Sequence, residues 1–249
     1  MSDAKYLNLK AKCFSDGRIS TYGDDAAVAA ELSGQPVAQR LDAQNGVVLP
    51  GLVDAHTHPL WAGDRVHEFA LKLAGASYLD ILAAGGGILS TVDATRSASD
   101  DVLTTSLKQR LGAMLRSGTT TAEVKTGYGL TTEEEIRHLK ILEAVRRAGP
   151  VELSVTHCGA HAIPKGLDAQ TATDLLVKEQ LPAVAALRDS GEVQVENEDV
   201  FLEKGVFSRE QAEAILTKAK ALGLRLNFHG DELSYSASGE VSKRRNNFL

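Results

Sequence analysis

The chain has 249 residues, a formal net charge of −6 and ordinary shares of apolar and charged residues, which bounds it to one large globular domain or two small ones. The acidic balance argues against a phosphate-backbone partner, and two cysteines, Cys13 and Cys158, are too few for a disulfide framework. No apolar run approaches a signal-peptide core or the roughly 20 residues of a membrane span, so the expectation is a cytoplasmic protein without a nucleic-acid or membrane partner.

Residues 5–14 (YLNLKAKCFS) alternate as a half-exposed strand does, and Asp16-Gly17 suggests a hairpin turn. Asp24 and Asp25 open a short Ala-rich helix that ends near Gly34. Segments 37–41 and 47–49 read as further short strands. Residues 1–49 are thus expected to form a small β-rich subdomain.

After Pro50 the texture changes. Apolar strands at 52–56, 119–125, 153–157, 193–197 and 225–229 alternate with helices at about 99–116, 132–148, 170–189 and 208–222. This alternation predicts an α/β fold with a parallel sheet, open or closed into a barrel. Polar residues stand at the end of strand after strand: His56 and His58, Lys125 to Tyr128, His157 to His161, and His229 to Glu232. A (β/α)8 barrel places its active site at that end, whereas an open sheet concentrates ligands at one switch point. Only about five strands are found where eight are needed, so the expected fold is an incomplete barrel over residues 50–233. Residues 234–249 (SYSASGEVSKRRNNFL) read as a solvated polar tail.

Asp54-Ala55-His56-Thr57-His58 follows an apolar strand. Strand side chains alternate, so His56 and His58 emerge on one face, as two nitrogen ligands of a metal do. A lone His-x-His is as often a surface or core feature. Here a second strand, Asn227-Phe228-His229-Gly230-Asp231-Glu232, also ends in histidine.

The segment LPGLVDAHTHP resembles the entry strand of the amidohydrolase superfamily. HPLWAGDRVHEF, AGGGI, EVKTGYGL, HCGAHAIPKG, DVFLEKGVF and LNFHGDE resemble the imidazolonepropionase family within it, over residues 46–233. The resemblance implies that His56, His58 and His229 hold one metal ion, zinc or iron. It implies that Glu232 handles protons and contacts the substrate, that Arg65 holds a substrate carboxylate, and that Tyr128 and His161 contact the ring. The implied reaction opens the ring C–N bond of 4-imidazolone-5-propanoate to give N-formimidoyl-L-glutamate in histidine breakdown. The small-molecule substrate is then the partner, and a homodimer is compatible with the family. The family continues beyond residue 233 with further strands and an aspartate ligand, none identifiable here. The chain alone is therefore expected to be poorly stable, inactive or both.

Plainer readings stand beside these. Arg65 could be a solvated charge, Tyr128 between two glycines an ordinary turn aromatic, and His157 a packed core histidine competing with His161 for the substrate role. His67 and His138 read as surface or packing residues, and Cys158 as a small buried one. Gly85-Gly86-Gly87 lacks the lysine and the serine or threonine of a phosphate loop. Glu123 and Lys125 share a strand face and could form an ion pair, a metal-bridging lysine being the rarer case. The alternatives for the whole chain are a related cyclic-amide hydrolase, a heterocycle deaminase, or a non-catalytic remnant.

Overall fold

A computed structural model describes residues 11–44, 46–76, 80–81, 86–235 and 238–239. The chain falls into two compact units, Met1–Pro50 and Gly51–Leu249.

In the first unit, β1 (Ala11–Ser15) and β2 (Arg18–Gly23) form an antiparallel hairpin. Asp16 (φ 52°) and Gly17 (φ 73°) are both left-handed, the conformation of a type I′ turn, whose twist matches that of the strands it joins. Helix α1 (Asp25–Glu31) follows. The expected strands at 37–41 and 47–49 do not form; both segments are irregular. Neither has a pairing partner among the described residues, and Leu41, Val47 and Leu49 are exposed. Alternation alone does not make a strand where no ladder is available. The start of the first expected strand, residues 5–10, and Gly85 of the glycine run lie outside the described residues, as does most of the polar tail.

The second unit holds a five-stranded parallel sheet: β3 (Leu52–Thr57), β4 (Thr119–Lys125), β5 (Glu152–Ala160), β6 (Asn197–Leu202) and β7 (Arg225–Gly230). Strand order equals chain order, as in a barrel and unlike the reversal in a doubly wound sheet. The described helices between the strands are α2 (Val66–Leu73), α3 (Ile88–Ser97), α4 (Asp100–Arg116), α5 (Thr132–Ala148), α6 (Ala169–Leu175), α7 (Leu181–Asp189) and α8 (Arg209–Ala221). Local chemistry fixes their ends. Ser99 caps α4, Thr131 caps α5, and Ser208 with Gln211 forms a capping box on α8. Acidic residues open α4 and α5 and arginines close them, in the sense the helix dipole favours.

Two expectations need correction. The helix expected at 170–189 is interrupted by a π-helical turn, Leu176–Gln180, before α7. Pro182 at the start of α7 has no N–H to give to the preceding turn, which widens locally. The strand expected at 193–197 begins only at Asn197 and runs to Leu202. Val193 and Val195 are buried on the approach to it.

Alternation along the strands sorts side chains onto two faces. Ala122, Val124, Leu153, Val155, Val200 and Leu202 join the core built with Leu107, Leu139, Leu142 and Ile215 of the helices. The opposite face carries Glu123, Lys125, Thr156, Asn197, Asp199 and His229, joined by hydrogen bonds from strand to strand. A face so polar and so buried is the lumen of a curled sheet. No helix among the described residues is long and apolar enough to cross a membrane.

Candidate metal centre

β3 and β7 are the outer strands of the sheet. In a flat sheet, four inter-strand spacings would part them by about 19 Å, more than two imidazole side chains can span. Yet Nε2 of His58 and Nε2 of His229 are 3.1 Å apart. The sheet therefore curls far enough to bring its first and fifth strands to one point. His56 completes the cluster, its ring centroid 4.5 Å from that of His229 and 5.5 Å from that of His58. One nitrogen from each of the three rings lies within 4.8 Å of the others.

This donor set fits a metal ion. Two nitrogens about 2.0–2.1 Å from a tetrahedral ion are separated by roughly 3.3 Å, close to the separation of the two Nε2 atoms. Nδ1 of His229 lies 2.6 Å from Oδ1 of Asp199; a carboxylate only accepts, so Nδ1 carries the proton and the Nε2 lone pair faces His58. Burial, followed by the neighbouring histidines, holds His58 down to about 2. Burial and the Lys125 charge also lower His56. Both rings are thus neutral near pH 7, the form that can donate a lone pair.

His161 and Tyr128 stand beside this cluster. The His161 ring stacks on His58 at 4.4 Å with 16° between planes, and the Tyr128 ring lies 5.2 Å from His161. The Gly127 carbonyl accepts from Nδ1 of His161 at 3.0 Å, leaving Nε2 of that ring as an acceptor. Burial pulls His161 down to about 4 and pushes the Tyr128 hydroxyl up. Tyr128 sits on a loop pinned from below, where Oε1 of buried Glu135 accepts the amides of Gly129 (2.8 Å) and Leu130 (2.7 Å). That bond pair holds Leu130 at φ 63°, a conformation few non-glycine residues adopt.

The competing His157 lies on the other face of β5. It is fully buried, with Nδ1 2.5 Å from Oε2 of Glu198. Burial raises Glu198 to about 7 although the His157 charge opposes it. His138 is buried in the packing, and His67 is exposed. Cys158 is buried and its thiol is pushed well up. Arg65 is half-buried at the start of α2, and its Nε is 2.7 Å from Oε2 of Glu68. Glu232 is exposed in the turn after β7, its backbone amide bonded to Glu203 at 2.6 Å. No contact of its carboxylate with the histidine cluster is present.

Asp199 and the ion pair it shares with Lys125 have no counterpart in the sequence reading beyond the shared face of Glu123 and Lys125. Nζ of Lys125 is 2.6 Å from Glu123 and 2.7 Å from Asp199, and all three groups are buried.

A curled parallel sheet with histidines from its outer strands at the C-terminal end is the arrangement of a metal-dependent hydrolase of the barrel type. Residues 47–248 match the profile of the amidohydrolase family, and the chain belongs to that family. Its relatives narrow the comparison. It is 47% identical over 226 residues to a protein of Homo sapiens named "Probable imidazolonepropionase", covering 91% of this chain and 53% of that one. A Mus musculus protein of the same name is 49% identical over 227 residues, with the same coverage. One from Dictyostelium discoideum is 52% identical over 203 residues, covering 81% of this chain and 48% of that one. The chain spans about half the length of the curated relatives it matches.

Proposed function

We propose that this chain carries the metal-binding part of an imidazolonepropionase, which hydrolyses the ring amide of 4-imidazolone-5-propanoate to N-formimidoyl-L-glutamate in histidine breakdown. The convergence of His56, His58 and His229, with His161 and Tyr128 beside them, is the observation that carries this reading; the names of the relatives add to it. His56, His58 and His229 would hold one zinc or iron ion. When bound, such an ion supplies Lewis acidity towards a carbonyl and towards water.

The remaining roles fall to the chain's own side chains. Arg65 grips the propionate carboxylate, with Glu68 fixing its direction. His161 and Tyr128 flank the ring, the first offering a lone pair at Nε2 and the second a hydroxyl proton. In the hydrolysis, a C–O bond forms between water and the ring carbonyl carbon, and the C–N bond breaks. One proton leaves the water and one reaches the departing ring nitrogen; Glu232 would move that proton.

The test is elemental analysis of the purified chain, with imidazolonepropionate hydrolysis assayed on the same sample. About one zinc or iron per chain with turnover supports the whole reading. Metal without turnover retains the histidine site and assigns the missing catalytic groups to parts of the enzyme beyond this chain. The absence of both metal and turnover overturns the proposal.

A further inference from the structure

The polar face of the sheet holds a continuous path between the candidate ligands. Thr57, between His56 and His58, gives its amide to Oε2 of Glu123 (3.3 Å) and its hydroxyl to the Glu123 carbonyl (2.6 Å). The other Glu123 oxygen accepts from Lys125, Lys125 also donates to Oδ2 of Asp199, and Oδ1 of Asp199 accepts from His229. From Glu123 to Asp199 each group of this path has one role. Lys125 can only donate and the two carboxylates can only accept, so the His229 proton must sit on Nδ1.

We infer that Asp199, oriented by Lys125, is a positioning residue that fixes the tautomer and ring direction of His229 and so makes its Nε2 a metal donor. The inference rests on the reading that His229 holds the ion. Asp199 never touches the ion; it acts through the ring. Outer partners of this kind commonly change metal affinity ten- to a hundredfold when removed. The path is also asymmetric in a way that permits a sharp test. An asparagine at 199 offers one oxygen and one NH2 to two partners. The Lys125 ammonium cannot face the NH2, so it takes the oxygen. The NH2 then donates to Nδ1 of His229 and moves the ring proton to Nε2, where it blocks the metal. An isosteric change that preserves packing thus inverts the tautomer, by the same logic through which a carboxylate holds a catalytic imidazole.

The experiment compares the full wild-type chain, Asp199→Asn and His229→Ala in two measurements. One is zinc affinity by competition with a chromophoric chelator; the other is the ring nitrogen shifts of the 15N-labelled apo proteins, which report each tautomer. Expected are an Nδ1–H His229 in the wild type, an Nε2–H His229 in Asp199→Asn, and zinc binding at least tenfold weaker in that variant. An unmoved His229 tautomer with zinc affinity within twofold of wild type overturns the role of Asp199. If Asp199→Asn does not fold, the wild-type spectrum decides, because an Nε2–H His229 there is incompatible with the inference. Zinc binding that His229→Ala leaves unchanged defeats the metal-site reading instead, and the tautomer shift still reports on Asp199 alone.

Discussion

The guanidinium of Arg110 lies 3.5 Å from the centroid of the Trp61 ring, and its Nη1 donates to the carbonyls of Pro59 (2.8 Å) and Trp61 (3.0 Å). One side chain of α4 thereby clamps the loop that runs from His58 towards Arg65. The amide of Ala62, bonded to Oγ1 of Thr95 at 3.1 Å, adds a second tether from α3. Lysine at 110 can reach one carbonyl but cannot fork or stack in this way. Arg110→Lys is expected to cost about 1–3 kcal/mol of stability and to raise acrylamide quenching of Trp61, the chain's one tryptophan. Denaturant unfolding and fluorescence quenching check both, and unchanged quenching would show that the clamp is dispensable.

If Arg65 grips a substrate carboxylate as proposed, it separates an acid-bearing ligand from a neutral one. Imidazole propionate, which lacks the ring carbonyl, serves as a binding probe and imidazole as its neutral counterpart. Arg65→Ala should weaken the acid-bearing probe about tenfold or more, the loss of a charge-assisted pair, and leave the neutral ring nearly unaffected. Calorimetric titration with both probes checks this, and equal losses would remove Arg65 from the carboxylate.

His161 gives the protein a pH-dependent stability. Its folded value of about 4 lies below the usual 6.5, chiefly because the ring is buried. Between those values the unfolded chain binds a proton that the folded chain does not. This contribution is therefore flat above about pH 6.5 and is lost as pH falls towards 4. His161→Phe keeps a ring against His58 and has no proton to bind. On going from pH 7 to pH 5 the variant should lose about 2 kcal/mol less than the wild type. Urea unfolding at the two pH values reads the difference, and parallel losses would contradict the assignment.

Glu143 acts in the acid range. Bonds from Arg146, the largest influence, and from Arg147 and the Gln194 amide hold its carboxylate down to about 2. The folded value lies below that of the unfolded chain, so the stabilisation is present above about pH 4.5 and fades as pH falls towards 2. Glu143→Gln should cost roughly 1–2 kcal/mol at pH 7 and progressively less below pH 4.5. A constant penalty across that range would mean that the charge is irrelevant and only the shape matters.

Much of this architecture can be read from the sequence because it is local. Ser99, Thr131 and Ser208 announce their helices, and strand 119–125 and helix 132–148 lie where the pattern puts them. His56 and His58 are legible because period-two geometry needs no tertiary knowledge. Strand β6 is less so: Glu198 and Asp199 look like loop residues, and only the curled sheet supplies the partners that let them be buried. The same holds for the Glu123–Lys125 pair, whose third member comes from a strand 74 positions away in sequence. Segments 37–41 and 47–49 show the reverse error, a β pattern with no described strand to pair with. The role of Glu232 stays with the family resemblance, since its exposed carboxylate has no contact in the histidine cluster that periodicity or packing could have announced.

The strand order has a consequence for how the protein is made. Each strand of the sheet pairs with its neighbour in the chain, so every βα unit can dock on the one synthesised just before it. Neighbour-to-neighbour pairing permits stepwise assembly as a chain leaves the ribosome at about 5–20 residues per second. The histidine cluster does not share this economy, because His58 and His229 are 171 residues apart. The strands β3 to β6 can therefore be in place while the nascent chain still lacks His229, and the three histidines meet only when β7 arrives.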